Sequence, residues 1–166
     1  LWASLYYPGE AALGLVMLYE MDPNPAWYDS AMRALLFLAG DRRDSTRLPP
    51  DHWSLLATHR LLRLPRSWEH KDDYILIEAH AARIIRSIIA ERAPNTRRVG
   101  FTGDGRTCPS ATGLEGLIAG LPLMGNPVLR ARTLHAVDQG IEFLLLTQLR
   151  EGPYRGAWPR AAARLT

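Results

Sequence analysis

The stretch Phe143-Leu144-Leu145-Leu146-Thr147-Gln148, followed after a short polar loop by Gly156-Ala157-Trp158, decides how this chain is read. An apolar run closed by Thr and Gln is the end of a helix, and Gly-Ala-Trp-Pro reads as a turn into the next one. Working back from Gln148, a helix is expected over 128–149, opened by Gly125-Asn126-Pro127. Working forward, Trp158-Pro159-Arg160 is expected to start a seventh helix.

The same punctuation recurs upstream. Tyr7-Pro8-Gly9-Glu10 opens a first helix over 8–20, Asp22-Pro23-Asn24-Pro25 closes it, and a second follows over 26–39 with Gly40 as its stop. Pro49-Pro50-Asp51 opens a third that ends before Pro65, and a fourth runs over 72–91 with Ile77, Ile84, Ile85, Ile88 and Ile89 as its apolar stripe. A glycine-rich link, Gly100 to Gly105, leads through Pro109 into a fifth helix ending near Leu123. No alternating apolar pattern argues for a strand. Odd-numbered helices are short, rich in small residues and begin after Pro, whereas even-numbered ones are longer and more charged. A helical-hairpin repeat of roughly 45 to 60 residues accounts for this, because inner helices packed on two sides need small residues and outer ones keep a wet face.

Phe143-Leu144, Gln148 and Gly156-Ala157-Trp158 resemble the Gln-Trp repeat that joins helical hairpins in α/α toroids of the terpenoid-cyclase type. The gap after the Gln is longer than that repeat usually has. The hairpin alternation extends the resemblance over nearly the whole chain, so residues 1–166 are expected to form a single all-α domain of antiparallel inner and outer helices. About three hairpins make half of a six-hairpin barrel. The chain therefore reads as a fragment of a larger toroid. By resemblance, Gln148 caps a helix end and packs on Trp158.

Composition narrows the function classes. In 166 residues, 47% are hydrophobic and 22% charged, as in an ordinary globular protein with a real core. No uninterrupted apolar run is long enough for a membrane span. The net charge is +3, and of 20 basic residues only Lys71 is lysine, a bias that a GC-rich genome produces. The arginines are scattered without a basic stripe, which argues against a nucleic-acid partner. Cys108 stands alone, so no intrachain disulfide can form.

The resemblance covers several chemistries, and the residues separate them. The Asp-x-Asp-Asp acid of terpene cyclases has no match, Asp72-Asp73 being a pair at a helix start. Cys108 alone cannot supply the paired cysteines of one group of zinc-dependent toroids. No metal or other cofactor is implied. In a toroid the starts of the inner helices converge on one mouth of the barrel, where their dipoles favour anionic or hydroxyl-rich ligands. That places Tyr6, Tyr7 and Glu10, then Asp51, His52 and Trp53, then Ser110, Thr112 and Glu115, then Trp158 and Arg160, around one site.

Acids, aromatic rings and hydroxyls together suit a sugar, since rings stack on pyranose faces and two carboxylates can divide acid and base work. The expected catalytic set is Glu10, Asp51, His52 and Glu115, and the expected substrate-binding set is Tyr6, Tyr7, Trp53, Thr112 and Arg160. Each acid also has a plainer reading as a helix cap, and each aromatic as a lock between hairpins. His80 and His135, among apolar neighbours on outer helices, are expected to pack with hydrogen bonds. The leading expectation is a bacterial toroid domain acting on a carbohydrate or other small-molecule ligand, as a hydrolase, lyase or epimerase. A noncatalytic helical scaffold is the alternative, and an isoprenoid-active toroid is third. Exposed flanks of the terminal hairpins predict a homo-oligomer or fused domains as partners.

Overall fold

A computed structural model describes residues 5–65, 71–91 and 100–162. Among these residues the regular structure is helical, with six α-helices and no strand: α1 (Tyr7–Met21), α2 (Pro25–Asp41), α3 (His52–Leu62), α4 (Lys71–Glu91), α5 (Thr107–Gly120) and α6 (Pro127–Thr147). A single 3-10 turn, Leu121–Leu123, follows α5. No helix is long and apolar enough to cross a membrane among the described residues.

The helix starts are built from local chemistry. Asn24 and Asn126 each sit in extended backbone before a proline, and their side-chain oxygens accept from Ala26 N (3.0 Å) and Leu129 N (2.9 Å). An Asn-Pro pair supplies both an acceptor for an orphan N–H and a residue that lacks one, which fixes where α2 and α6 begin. Asp51 caps α3 in the same way, accepting from Ser54 N at 3.1 Å.

The helices form two rows. In one, α1 packs on α3 and α3 on α5; in the other, α2, α4 and α6 follow in order, with α4 also lying against α3 and α5. Gly9 on α1 meets the start of α3, while Glu20 near the end of α1 bonds to Arg60 near the end of α3 at 2.6 Å, so these two helices run parallel. Two apolar clusters fill the space between the rows. One joins α1 and α2 to the far half of α3 through Val16, Tyr28, Leu35, Leu61 and Ile77; the other joins Leu55, Ile84, Ile85 and Ile88 to Phe101, Leu117 and Val137. Tyr28 and Tyr74 share a buried hydrogen bond between their hydroxyls, tying the starts of α2 and α4.

Glycine lets the first row close up. A Cβ on Gly116 would lie 2.9 Å from His52 Cβ and 3.1 Å from His52 Cα, so α5 touches the backbone of α3 there. Gly116→Ala is expected to destabilise the fold by about 1–3 kcal/mol through overpacking, outweighing the gain of up to ~1 kcal/mol in helix propensity. Gly14→Ala on α1, with nothing within 4 Å of the added carbon, is expected to be neutral or stabilising. Urea denaturation of both variants checks the pair, and equal effects would refute the close-approach argument.

The Gln148–Trp158 element differs in its details from the resemblance. Trp158 Nε1 donates to Leu144 O at 2.7 Å, so the indole, not the Gln amide, satisfies an end carbonyl of α6. Gln148 Nε2 instead donates to Gly156 O at 2.9 Å and braces the loop, which Leu149 and Ala157 close with a backbone bond of 2.9 Å. Residues 157–160 are not helical. They pass across the start of α5, where Pro159 O and Arg160 O accept from Thr107 Oγ1 (2.6 Å) and Thr107 N (3.2 Å). Ala161 pairs with Arg106 in an isolated bridge and Ala162 N donates to Gly105 O at 2.9 Å, so the expected start of a seventh helix at Trp158-Pro159-Arg160 is replaced by extended chain, and residues 163–166 lie outside the described residues.

Candidate functional site

The starts of α1 and α3 meet. Gly9 packs on the Asp51 carboxylate and Ser54 N, and the Tyr6 ring lies 6.3 Å from the His52 ring, centre to centre, tilted by 57°. His52 is also 4.5 Å from the Trp53 ring. Gly116 brings α5 against the Cα and Cβ of His52, and with it Glu115, the residue before. Burial holds the His52 imidazole below its ordinary range, opposed in decreasing order by the negative charges of Glu115, Asp51 and Glu10. The charges of all three expected acids thus oppose the effect of burial on the expected base.

Their circumstances differ. Asp51 is completely buried, with one oxygen accepting from Ser54 N and the other bonded to Arg42 Nη1 at 2.8 Å. Arg42 is buried as well, and its second Nη donates to Leu5 O at 2.7 Å. A carboxylate committed as cap and as ion-pair partner is the plainer of its two readings. Glu10 and Glu115 are both exposed.

From Glu115 the surface opens into a groove of about 600 Å³ between α3 and α5, lined chiefly by Leu56, His59, Thr112, Glu115 and Ile118. Its floor is apolar, and its polar groups are one carboxylate, one hydroxyl and one imidazole. Burial, then Arg63 and Arg60, hold His59 below its ordinary range, so it favours the neutral form.

Tyr7, exposed, is the first residue of α1, and Thr112, half-buried, donates to Pro109 O at 3.1 Å. Arg160 is placed elsewhere. Its carbonyl is bonded at Thr107, roughly 12 Å along α5 from Glu115 at 1.5 Å per residue. Ser110 is buried and accepts from Phe101 N, so the start of α5 is sealed by its own loops while its middle reaches His52. Only Gly116, flanking Glu115, marks that depth in the sequence. Arg42 and the apolar groove residues Leu56 and Ile118 were not among the expected site residues, because nothing local distinguishes them from loop and core positions. Among the described residues no three His, Cys, Asp or Glu side chains are grouped as metal ligands. No known protein family, curated protein or solved structure matches the chain.

Proposed function

We propose that this two-row helical array is a carbohydrate-binding module whose site is the mouth formed by Tyr6, Glu10, His52, Trp53 and Glu115, continued by the α3–α5 groove. The observation that carries the reading is the packing of the Tyr6 and Trp53 rings around His52, beside Glu115 at the head of an apolar-floored groove. Ring faces pair with the C–H face of a pyranose, and carboxylate, hydroxyl and neutral imidazole groups pair with its hydroxyls. The alternation of parallel inner helices with outer ones also supports the larger frame of an α/α toroid, of which this array would be about half.

Binding is favoured over catalysis because Asp51, one of the three expected catalytic carboxylates, is held by Arg42 and Ser54. Glu10 and Glu115 remain as the pair for the hydrolase, lyase or epimerase reading. Chemical-shift titration of the isotopically labelled chain with a panel of neutral oligosaccharides tests the proposal. Shifts are expected at Trp53, Thr112 and Glu115, and Trp53→Ala and Glu115→Gln should each weaken binding about tenfold, the equivalent of one lost good contact. Absence of shifts with every sugar would sink it. Turnover of a bound sugar that disappears in Glu10→Gln or Glu115→Gln would replace the module with the enzyme.

A further inference from the structure

The buried Arg42 holds more than Asp51. Its own place is set by α2, whose end it caps, with its backbone N–H donating to Leu38 O at 3.1 Å. From there Nη1 of the guanidinium donates to Asp51 Oδ2 at 2.8 Å, and Nη2 donates to Leu5 O at 2.7 Å. Asp51 caps α3 and immediately precedes His52, while Leu5 immediately precedes Tyr6. One planar group therefore ties together the two segments whose rings meet at the mouth.

We infer that Arg42 is a positioning residue of the ligand site, which fixes the Tyr6 ring against His52 so that the mouth is formed before a ligand arrives. This rests on the binding reading above and adds to it the group that sets its geometry. Tyr6 lies just outside α1, and the Leu5 side chain before it is exposed, so apolar burial of Leu5 does little to fix this turn of chain. On one side of Tyr6, its carbonyl accepts from Glu10 N at 3.0 Å in the first turn of α1. On the other side the Leu5–Tyr6 peptide is planar, so a bond that fixes the direction of Leu5 O fixes that whole plane. With both flanking planes held, the Cα–Cβ bond of Tyr6 is aimed, and its ring centre falls 6.3 Å from that of His52.

Arginine suits this task. Its fork keeps two nitrogens in one plane at a fixed separation, so the Leu5 carbonyl and the Asp51 carboxylate cannot drift apart independently. Both bonds are charge-assisted, and because Arg42 and Asp51 are buried, water competes little for the pair. A ring held in place beforehand spares binding the cost of ordering it.

Arg42→Lys keeps a cation beside Asp51 but offers a single nitrogen in place of the fork, so it separates the clamp from the ion pair. Proton cross-relaxation between the Tyr6 and His52 rings, measured by NMR on the whole chain, is expected in the parent and lost in Arg42→Lys, with circular dichroism confirming the fold. Affinity for a neutral oligosaccharide that shifts the parent's Trp53 and Glu115 resonances should fall about tenfold. Glu20→Ala, which cuts the bond to Arg60 near the other end of α1, should leave the ring contact and the affinity unchanged. A ring contact that persists in Arg42→Lys, or one lost with affinity unchanged, would overturn the inference. Absence of sugar binding by the parent sinks the binding reading alone, because the ring contact tests the clamp without a ligand. Should Arg42→Lys not fold, the parent supplies the check: with Nη1 and Nη2 on different acceptors their rotation is hindered, and two resolved Arg42 Nη resonances are expected. A single averaged resonance would refute the clamp.

Discussion

Asp51→Ala is expected to destabilise the protein by about 4–6 kcal/mol, the largest effect of any single substitution considered, and a large fraction of the 5–15 kcal/mol that holds a typical domain together. Two losses combine. The α3 cap donated by Ser54 N at 3.1 Å accounts for about 1 kcal/mol. The greater part, about 3–5 kcal/mol, comes from leaving the buried Arg42 guanidinium without the carboxylate now 2.8 Å away. Asp51→Asn separates them, because an amide oxygen can still accept from Ser54 N but carries no charge. It should therefore recover only about 1 kcal/mol of the loss.

Arg42→Met should cost less than Asp51→Ala, since Asp51 keeps its cap bond and the positive end of the helix dipole. The double variant should be much less destabilised than the sum of the singles, with a coupling of at least about 1 kcal/mol. Urea denaturation of the four proteins completes the cycle. Additive singles, or a loss below about 1 kcal/mol for Asp51→Ala, would refute the ion-pair argument. The result also bears on function. Were Asp51 a catalytic acid, Asp51→Asn would abolish turnover and leave the fold nearly intact.

How much of this was legible follows from which contacts are local. Asn24-Pro25 and Asn126-Pro127 announce α2 and α6 within three residues, because cap and prolyl ring act on their own turn. Small residues on the odd-numbered helices mark close packing, and Gly9 and Gly116 do allow backbone contact between α1, α3 and α5. The start of α5 was misplaced by the rule that proline opens a helix. It begins at Thr107, before Pro109, because Pro159 O and Arg160 O, more than fifty positions away, satisfy its first groups. The exchange of roles between Gln148 and Trp158 has a related origin. The long loop between them lets the indole reach Leu144 O and leaves the amide to brace Gly156.

How deep α5 enters beside His52 is not legible in the sequence. Gathering helix starts put Ser110, Thr112 and Glu115 together beside His52, whereas α5 meets His52 further along its axis, at Gly116, so that Glu115 lies near His52 while Ser110 is held at the helix start. The sequence leaves Asp51 open as cap or catalyst, because the partner that commits it, Arg42, lies nine residues upstream and reaches it across a loop. Spacing along one helix carries no information about that kind of approach.

His80 is the position where burial was legible and its consequence was not. Its apolar neighbours on α4 predict a packed histidine with hydrogen bonds; it is buried, but neither ring nitrogen has a hydrogen-bond partner among the described residues. Burial first, then the positive charges of Arg42 and Arg83, push its pKa from 6.5 down to about 4. Above pH 6.5 the ring is neutral folded or unfolded and stability does not depend on it. Between pH 6.5 and 4 the unfolded chain takes up a proton that the folded chain refuses, so stability falls as pH falls, by up to ~1.4 kcal/mol per pH unit and about 3 kcal/mol in all. His52 and His59, also held below their ordinary range, act in the same direction, so the whole protein alone cannot isolate the effect.

His80→Leu can isolate it. At pH 7.5 the variant loses little, because it replaces two unsatisfied buried nitrogens with apolar atoms, and a change within about 1 kcal/mol is expected. At pH 5 it should be more stable than the parent by about 1–2 kcal/mol, having no proton to refuse. The difference between the two proteins should therefore shift in favour of the variant by about 2 kcal/mol across this window, as followed by urea midpoints at constant ionic strength. Parallel curves would mean that His80 is solvated or protonated in the folded chain, and the account of an unpartnered imidazole beneath Arg42 and Arg83 would fail.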